Sequence, residues 1–429
     1  MKSPIQFLYS LQTFGMKLGL RNITTLLGES GNPERLFPSV HIAGTNGKGS
    51  TAAMLAVILT ASGYRTGLYT SPHLVRFNER IRIDGIPIPD PALSRLTKQL
   101  RPFIVGTKAT FFEATTAIAF HYFAEQQVDI AVIETGLGGR FDATNVLQPL
   151  LSIITGINFD HTEHLGTTLA SIAFEKGGII KNDVPCLTGV TQAEALGMLK
   201  EIATKKQTTL VQAGLVSSIS LRRNALEGVN ADITTPVSTY RDLLISMPGV
   251  HQARNAQLAL LAAEYLNNQR DFHSITKRSI RKGLSSVQSL AGLHGRLDVV
   301  LTKPLTIIDV AHNPDGLKTA IGSLQQVLVN KPVVVFGVME DKEYSSMIPL
   351  LAGFARLVIA VQPKTGRALP GKSIVRQFHS LGFPALDGHD VASGFNLARS
   401  LVRNDEAIVI IGSHYVAGEV YAMSNMQGK

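Results

Sequence analysis

The sequence predicts an α/β protein of two doubly wound domains, and three observations carry that prediction. Short, continuous apolar runs recur along the 429-residue chain, each followed by a stretch with helical periodicity, as expected of parallel strands buried on both faces. The length exceeds what one ordinary core fills. A glycine-rich turn, HIAGTNGKGST at residues 41–51, stands between such a run and an apolar helix. In that setting, backbone N–H groups and a helix N-terminus bind phosphate.

Apolar residues make up 45% and charged residues 17%, the balance of a packed enzyme rather than a disordered chain. Lys plus Arg number 41 against 32 Asp plus Glu, a net charge of +9, which suits anionic small molecules. No long basic run appears and Trp is absent, so no nucleic-acid partner is expected. Cys186 is the only cysteine, which excludes an internal disulfide and favours a reducing cytoplasm. The opening MKSPIQFLYSLQTFGMKLGL has too short an apolar run for a secretory signal. No stretch approaches the roughly 18 apolar residues of a membrane span. A soluble cytoplasmic protein is expected.

Taken in order, the first forty residues read as helices around a turn at Gly31-Asn32-Pro33. Val40 to Ala43 is the strand before the glycine turn, and the helix after it is expected from Thr51. Further strands are TGLYTS, ending at Ser71, VDIAVIE, ending at Glu134, and LLSIITGINFDH, ending at Asp160 and His161. PCLTGV and TTLVQAG continue the series, and residues 215–247 alternate as a small antiparallel patch does. GVHQARNAQLALLAAEYL is a helix. The texture changes at AGLHGR, residues 291–296, which divides the chain into domains 1–294 and 295–429. The second domain repeats the α/β alternation in LTIIDVA, VVVFGV, RLVIAVQ and AIVIIGS, without a phosphate loop of its own.

The residues with chemistry cluster at these strand ends. Gly44, Gly47 and Gly49 allow the turn, and Lys48 supplies charge for β/γ-phosphates. Yet Gly49 occupies the place where a phosphate loop carries the Ser or Thr that holds Mg²⁺. Glu134 ends a parallel strand, where ligands bind in open sheets and where a carboxylate can hold Mg²⁺. On the residues alone, Ser71-Pro72 reads as a turn, His161 as a structural histidine, and Lys176 as a cation at a helix C-terminus closed by Gly177 and Gly178. Asp309 and His312 lie at a strand end of the second domain, and Arg296 at the domain junction. Asn255 is a polar residue within a largely apolar helix.

In sequence order, AGTNGKGS, SPHLVRFNERI, TFFEATT, ETGLGGRFDATN, DHTEHLG, EKGGIIK, GVHQARNAQLA, GR and DVAHNPDG resemble the folylpolyglutamate and dihydrofolate synthase family of the Mur ligase superfamily. The resemblance implies a first domain of the Mur ligase central-domain type, with a phosphate loop, and a smaller Rossmann-like second domain. It implies that Ser71 provides the missing magnesium-ligating hydroxyl, and that Glu134, His161 and a carbamylated Lys176 complete two Mg²⁺ sites. A carbamate presents carboxylate-like oxygens that an ammonium lacks. By the same carry-over, ATP is bound by Thr45, Asn46, Gly47, Lys48, Gly49, Ser50, Asn255, Arg296 and Asp309. Thr110, Phe111, Phe112 and Glu113, with Phe141, Asp142 and Ala143, fall where the pterin substrate is held.

The implied reaction is ATP-dependent ligation of L-glutamate to dihydropteroate or to a folate through an acyl phosphate. Lys48, Lys176, His161, Arg296 and His312 form its catalytic set, in a protein expected to be monomeric. Three departures stand out: EKGG for the commoner EKAG, His294 before GR, and Lys17 where many dihydrofolate-making relatives carry an acid. The rivals are a UDP-muramoyl-peptide ligase and a non-catalytic nucleotide switch. The first expects a UDP-binding domain ahead of the loop, whereas 43 residues precede Gly44. The second expects an N-K-x-D motif, but Asn330-Lys331 is followed by Pro332 and Val333.

Overall fold

A computed structural model describes residues 3–15, 19–269 and 271–427; Lys17 lies outside the described residues. Two α/β domains are present. The first is centred on an eight-stranded sheet of β1 (Ser39–Ala43), β2 (Thr66–Tyr69), β3 (Ile81–Ile83), β4 (Ile86–Pro87), β5 (Ile130–Glu134), β6 (Leu151–Ile154), β7 (Cys186–Thr188) and β8 (Leu210–Gln212). Its order is β4-β3-β2-β5-β1-β6-β7-β8, parallel except for β3, which runs antiparallel to both neighbours, β2 and β4. A three-stranded antiparallel patch follows: β9 (Ser218–Ala225), β10 (Gly228–Thr234) and β11 (Thr239–Ile245). The second domain holds β12 (Asp298–Thr302), β13 (Leu305–Ile308), β14 (Val333–Phe336), β15 (Leu357–Gln362), β16 (Ala385–Asp390) and β17 (Ile408–Ile411), ordered β12-β13-β17-β14-β15-β16.

The topology puts the glycine turn at a special place. β1 pairs in parallel with β5 on one side and β6 on the other, while β2 lies beyond β5. The chain therefore leaves β1 in one direction and later returns to its other side. Such a switch point opens a crevice at the carboxyl ends of the strands.

The helix Lys48–Ala61 is apolar all round because it is enclosed: Met54, Leu55, Ile58 and Leu59 have no solvent exposure. It packs on the sheet and against the helices His251–Asn267 and Lys277–Leu284. Each such side chain removes enough apolar surface to contribute about 1.5–3 kcal/mol. The helix Phe111–Glu125 is similarly enclosed, with Ile118, Phe120 and Phe123 fully buried. Both helix N-termini at the crevice are thereby rigidly anchored. Among the described residues, no helix is long and apolar enough to cross a membrane.

Three sequence expectations need correction. The helix after the glycine turn begins at Lys48 rather than Thr51, because Gly47 supplies the left-handed turn that lets helical geometry start at once. β6 stops at Ile154, so Asp160 and His161 lie in a loop beyond it. The apolar run misled there because Ile157 packs in the core from that loop. β2 likewise ends at Tyr69, two residues short of Ser71. The hairpin strands β3 and β4, and the strands β12 and β16, were not anticipated. Partial or mixed burial breaks the apolar runs in β4, β12 and β16, and β3 is only three residues long with Arg82 at its centre.

Candidate active site

The turn after β1 needs glycine for local reasons. Gly44 has φ +150°, and a Cβ there would stand 2.0 Å from Thr155 Oγ1. Gly47 has φ +87°, and its Cβ would stand 2.5 Å from Asn255 Oδ1. Neither the conformation nor the space admits a side chain. The turn is braced from behind: Thr45 N–H donates to the Gly156 carbonyl at 2.7 Å, and Thr155 Oγ1 donates to the Asn46 carbonyl at 2.7 Å. Since the helix starts at Lys48, the N–H groups of Lys48, Gly49 and Ser50 lack acceptors within it, and the positive end of its dipole is there.

Two lysines meet at this turn. Lys48 Nζ donates to the carbonyls of Gly44 at 3.0 Å and Thr45 at 3.1 Å. Lys176 Nζ, from the last turn of the helix Leu169–Gly177, donates to the same Gly44 oxygen at 2.8 Å. Lys176 is buried, and burial first, then the Lys48 charge, push its pKa down to about 7. An appreciable fraction is therefore a free amine at neutral pH, which a lysine merely complementing a helix C-terminus would not be.

Glu134 ends β5 under the turn. Its Oε2 accepts from Ser71 N–H at 3.1 Å, and a Cβ on Gly49 would lie 3.4 Å from it. Burial raises the Glu134 pKa against the opposing charges of Lys48, Arg296 and Arg80. A cavity of about 30 Å³ beside it is lined by Ser71, Glu134, Arg296 and His414, among others. A carboxylate and a hydroxyl residue at a cavity of this size offer the hard oxygen donors that Mg²⁺ prefers. Among the described residues, no three His, Cys, Asp or Glu side chains gather as a metal cluster.

His161 adopts φ +51° ahead of the short helix Thr162–Leu165, and its Nε2 lies 3.3 Å from Lys342 Nζ. Burial is the main cause holding its pKa down at about 4, so the ring is neutral. Asp160 ties the two domains together. It accepts from Lys342 Nζ at 2.8 Å and from Asn313 Nδ2 at 3.1 Å, and His312 Nε2 lies 3.6 Å away. Burial opposes its ionisation, but His312 beside it and the Lys342 charge hold its carboxyl far below the usual range. Asn46 extends the junction through Asp315 Oδ2 at 2.9 Å.

Asp309 is buried with both oxygens engaged by backbone N–H groups: Leu297 at 3.0 Å and Ala311 at 2.8 Å. It braces the interdomain linker, and burial pushes its pKa up to about 6. Arg296 Nη1 donates to the Gly295 carbonyl at 3.0 Å. Asn255 stands against Gly47 and donates to Gln252 Oε1 at 2.8 Å. The structure thus brings Lys48, Lys176, Ser71, Glu134, Arg296 and Asn255 around one crevice. His161 and His312 lie at the interdomain junction beside it.

The substrate candidates divide by chemistry. Thr110 and Glu113 close a capping box on the helix Phe111–Glu125, each accepting from the other's backbone N–H. Asp142 is buried and folds the 136–144 loop by accepting from Gly136 and Leu137 N–H at 2.8 and 2.9 Å. These polar atoms are occupied in holding the chain, and Ala143 is buried. Phe111, Phe112 and Phe141 keep accessible ring surface. Phe111 stacks on Tyr9 at 5.8 Å between centroids, while Arg140 lies over the Phe141 ring at 4.1 Å. Sequence reasoning missed Tyr9, His73, Arg80, Asn313 and Lys342. The NERI stretch and the VMEDK turn were the available signals.

The family model of the Mur ligase middle domain matches residues 42–263, and that of the Mur ligase glutamate ligase domain matches residues 295–414. The chain is 40% identical to a dihydrofolate synthase/folylpolyglutamate synthase of Bacillus subtilis, over 80% of this chain and 81% of that protein. It belongs to the folylpolyglutamate synthase family of Mur ligases. A folylpolyglutamate synthase of Lacticaseibacillus casei is 37% identical to this family member over 93% of each chain. The structure of Mycobacterium tuberculosis folylpolyglutamate synthase complexed with ADP superposes with a TM-score of 0.91 at 30% identity, covering 98% of both chains. Folylpolyglutamate synthase relatives do not favour the muramoyl-peptide ligase or switch readings.

Proposed function

We propose that the chain is an ADP-forming ligase that adds L-glutamate to dihydropteroate, to tetrahydrofolate polyglutamates, or to both. The observation that supports this most directly is the convergence of Lys48 and Lys176 on the Gly44 carbonyl, beside Glu134 and Ser71. Lys48 and the helix N-terminus make this a positively polarised hole suited to a transferring phosphoryl group, with Lys176, Glu134 and Ser71 at its wall. ATP lies with its phosphates along Thr45–Ser50, and Asn255, Arg296 and Asp309 frame the nucleotide. The mycobacterial relative is complexed with ADP, which supports adenine-nucleotide binding by this fold.

An acceptor carboxylate oxygen attacks the γ-phosphorus, and ADP departs to leave an acyl phosphate. The neutral amine of L-glutamate, held near His312 by the second domain, then attacks the acyl carbon. Phosphate leaves and the nitrogen sheds its proton, so one amide forms per ATP. Lys48 and Arg296 neutralise charge on the moving phosphoryl group, and domain closure excludes water. Mg²⁺, when bound, supplies further neutralisation of that charge. Ser71 and Glu134 would hold one ion. His161 and Lys176 would hold a second, with the Lys176 amine combining with CO₂ to give a carbamate and releasing one proton. The aromatic faces of Phe111, Phe112 and Phe141 receive the pterin.

We place the domain division at 294/295, and we read the enzyme as a cytoplasmic monomer, which the single buried Cys186 supports as to compartment. Mass spectrometry of products from ATP, Mg²⁺ and L-glutamate with dihydropteroate or with tetrahydrofolate is the test. Products one glutamyl residue heavier from either acceptor are expected. Absence of ligation with both acceptors overturns the proposal.

A further inference from the structure

Arg80 is a buried cation with an unmet need. Its side chain is 7% exposed, and its Nε donates to His73 Nδ1 at 2.8 Å. Among the described residues, neither Nη group has a hydrogen-bond or ion-pair partner. A guanidinium removed from water without a counter-ion is costly unless an anion arrives. Its planar fork matches a carboxylate through two parallel hydrogen bonds.

The surroundings say which anion. Arg80 Cζ lies 5.3 Å from the centre of the Phe111 ring, and Phe111 stacks with Tyr9 and meets Phe77 edge-on at 5.9 Å. Glu134 acts electrostatically on Arg80 but forms no ion pair with it. The side chain therefore lies against an aromatic floor and within electrostatic reach of the carboxylate that borders the phosphate crevice. An inorganic phosphate would not use the aromatic floor, and Lys48 with the helix N-terminus already offers phosphates a site of their own. A flat aromatic molecule ending in a carboxylate would use both.

We infer that Arg80 receives the carboxylate of the acceptor substrate and delivers it to the γ-phosphate, an inference that rests on the ligase reading above. His73 is its positioning residue. Because Arg80 Nε–H must donate, His73 Nδ1 accepts. Its Nε2 then carries the proton and donates to Tyr9 Oη at 3.1 Å. This Tyr9–His73–Arg80 chain fixes the guanidinium plane from a helix more than sixty residues away in sequence.

The experiment compares wild type with Arg80→Gln, Arg80→Lys, Arg80→Ala and His73→Phe. It measures KM and kcat for dihydropteroate and tetrahydrofolate, and calorimetric affinity for a non-hydrolysable ATP analogue. Arg80→Gln should lower kcat/KM for the acceptor about 100-fold while the ATP-analogue Kd stays within twofold, which also reports an intact fold. Arg80→Lys should recover part of the loss, and Arg80→Ala should be partly rescued by added guanidine. His73→Phe should raise acceptor KM several-fold with kcat little changed. Weakened nucleotide affinity with unchanged acceptor KM would overturn the inference in favour of a phosphate contact, and unchanged kinetics throughout would overturn it outright. If wild type itself fails to ligate, the ligase reading falls first; a ligating wild type with an indifferent Arg80 removes this inference alone.

Discussion

Lys48 and Lys176 share one acceptor, the Gly44 carbonyl oxygen, at 3.0 and 2.8 Å. Burial first, and then the neighbouring Lys48 charge, lower the Lys176 pKa to about 7. A free amine is what carbamylation by CO₂ requires. Lys176→Ala should reduce ligation by about 10²-fold or more, on the scale of losing a group that stabilises the transferring charge. Added acetate or formate should restore part of it. Steady-state rates with and without the short acids are the readout, and an unimpaired variant excludes the role.

The same lysine makes stability depend on pH. Its folded pKa of about 7 lies below the ordinary 10.5, so between those values the unfolded chain binds more protons. Stability attributable to Lys176 therefore rises with pH from about 7 towards 10.5, and the penalty for its burial is largest below 7. The slope cannot exceed about 1.4 kcal/mol per pH unit. Urea midpoints in CO₂-depleted buffer should show Lys176→Met with a flatter profile than wild type between pH 7 and 9.

Asp160 and Lys342 form an ion pair across the domains with both side chains about nine-tenths buried. Removing one member strands the other, which costs about 3–5 kcal/mol for a fully buried pair. Lys342→Met and Asp160→Asn should each destabilise the protein by up to that amount. The double variant should be less destabilised than the sum of the two. Denaturant unfolding of the four proteins gives the coupling, and strict additivity would remove the pair as an interdomain tie.

Gly47→Ala should spare the fold but not nucleotide binding. The new Cβ would meet Asn255 Oδ1 at 2.5 Å in a backbone conformation with φ +87°. Either the turn or the Asn255 amide must move. We expect at least a tenfold rise in KM for ATP, read from initial rates, with far-ultraviolet circular dichroism unchanged.

Much of this site was legible before folding because it is local. Lys48 must stand next to the glycine turn, since three neighbouring glycines and a following helix define its position along the chain. Glu134 was visible as the only charge closing the apolar run of β5. Short-range geometry sufficed there, since backbone conformation and strand burial act over a few residues. It failed at Asp160 and His161, where an apolar run outlasted its strand.

By itself, the sequence determined the fold class, the phosphate turn and the family, because these depend on periodicity and on motifs in fixed order. Only the tertiary structure decided what each polar atom is used for. Thr110, Glu113 and Asp142 turned inward to hold their own backbone. Lys176 came from 132 residues away to the Gly44 carbonyl. Arg80 was left buried beside Phe111, with no hydrogen-bond partner for its Nη groups among the described residues. A hydrogen bond or a buried charge is settled by which groups converge in space, and chain order does not encode that convergence in any short window.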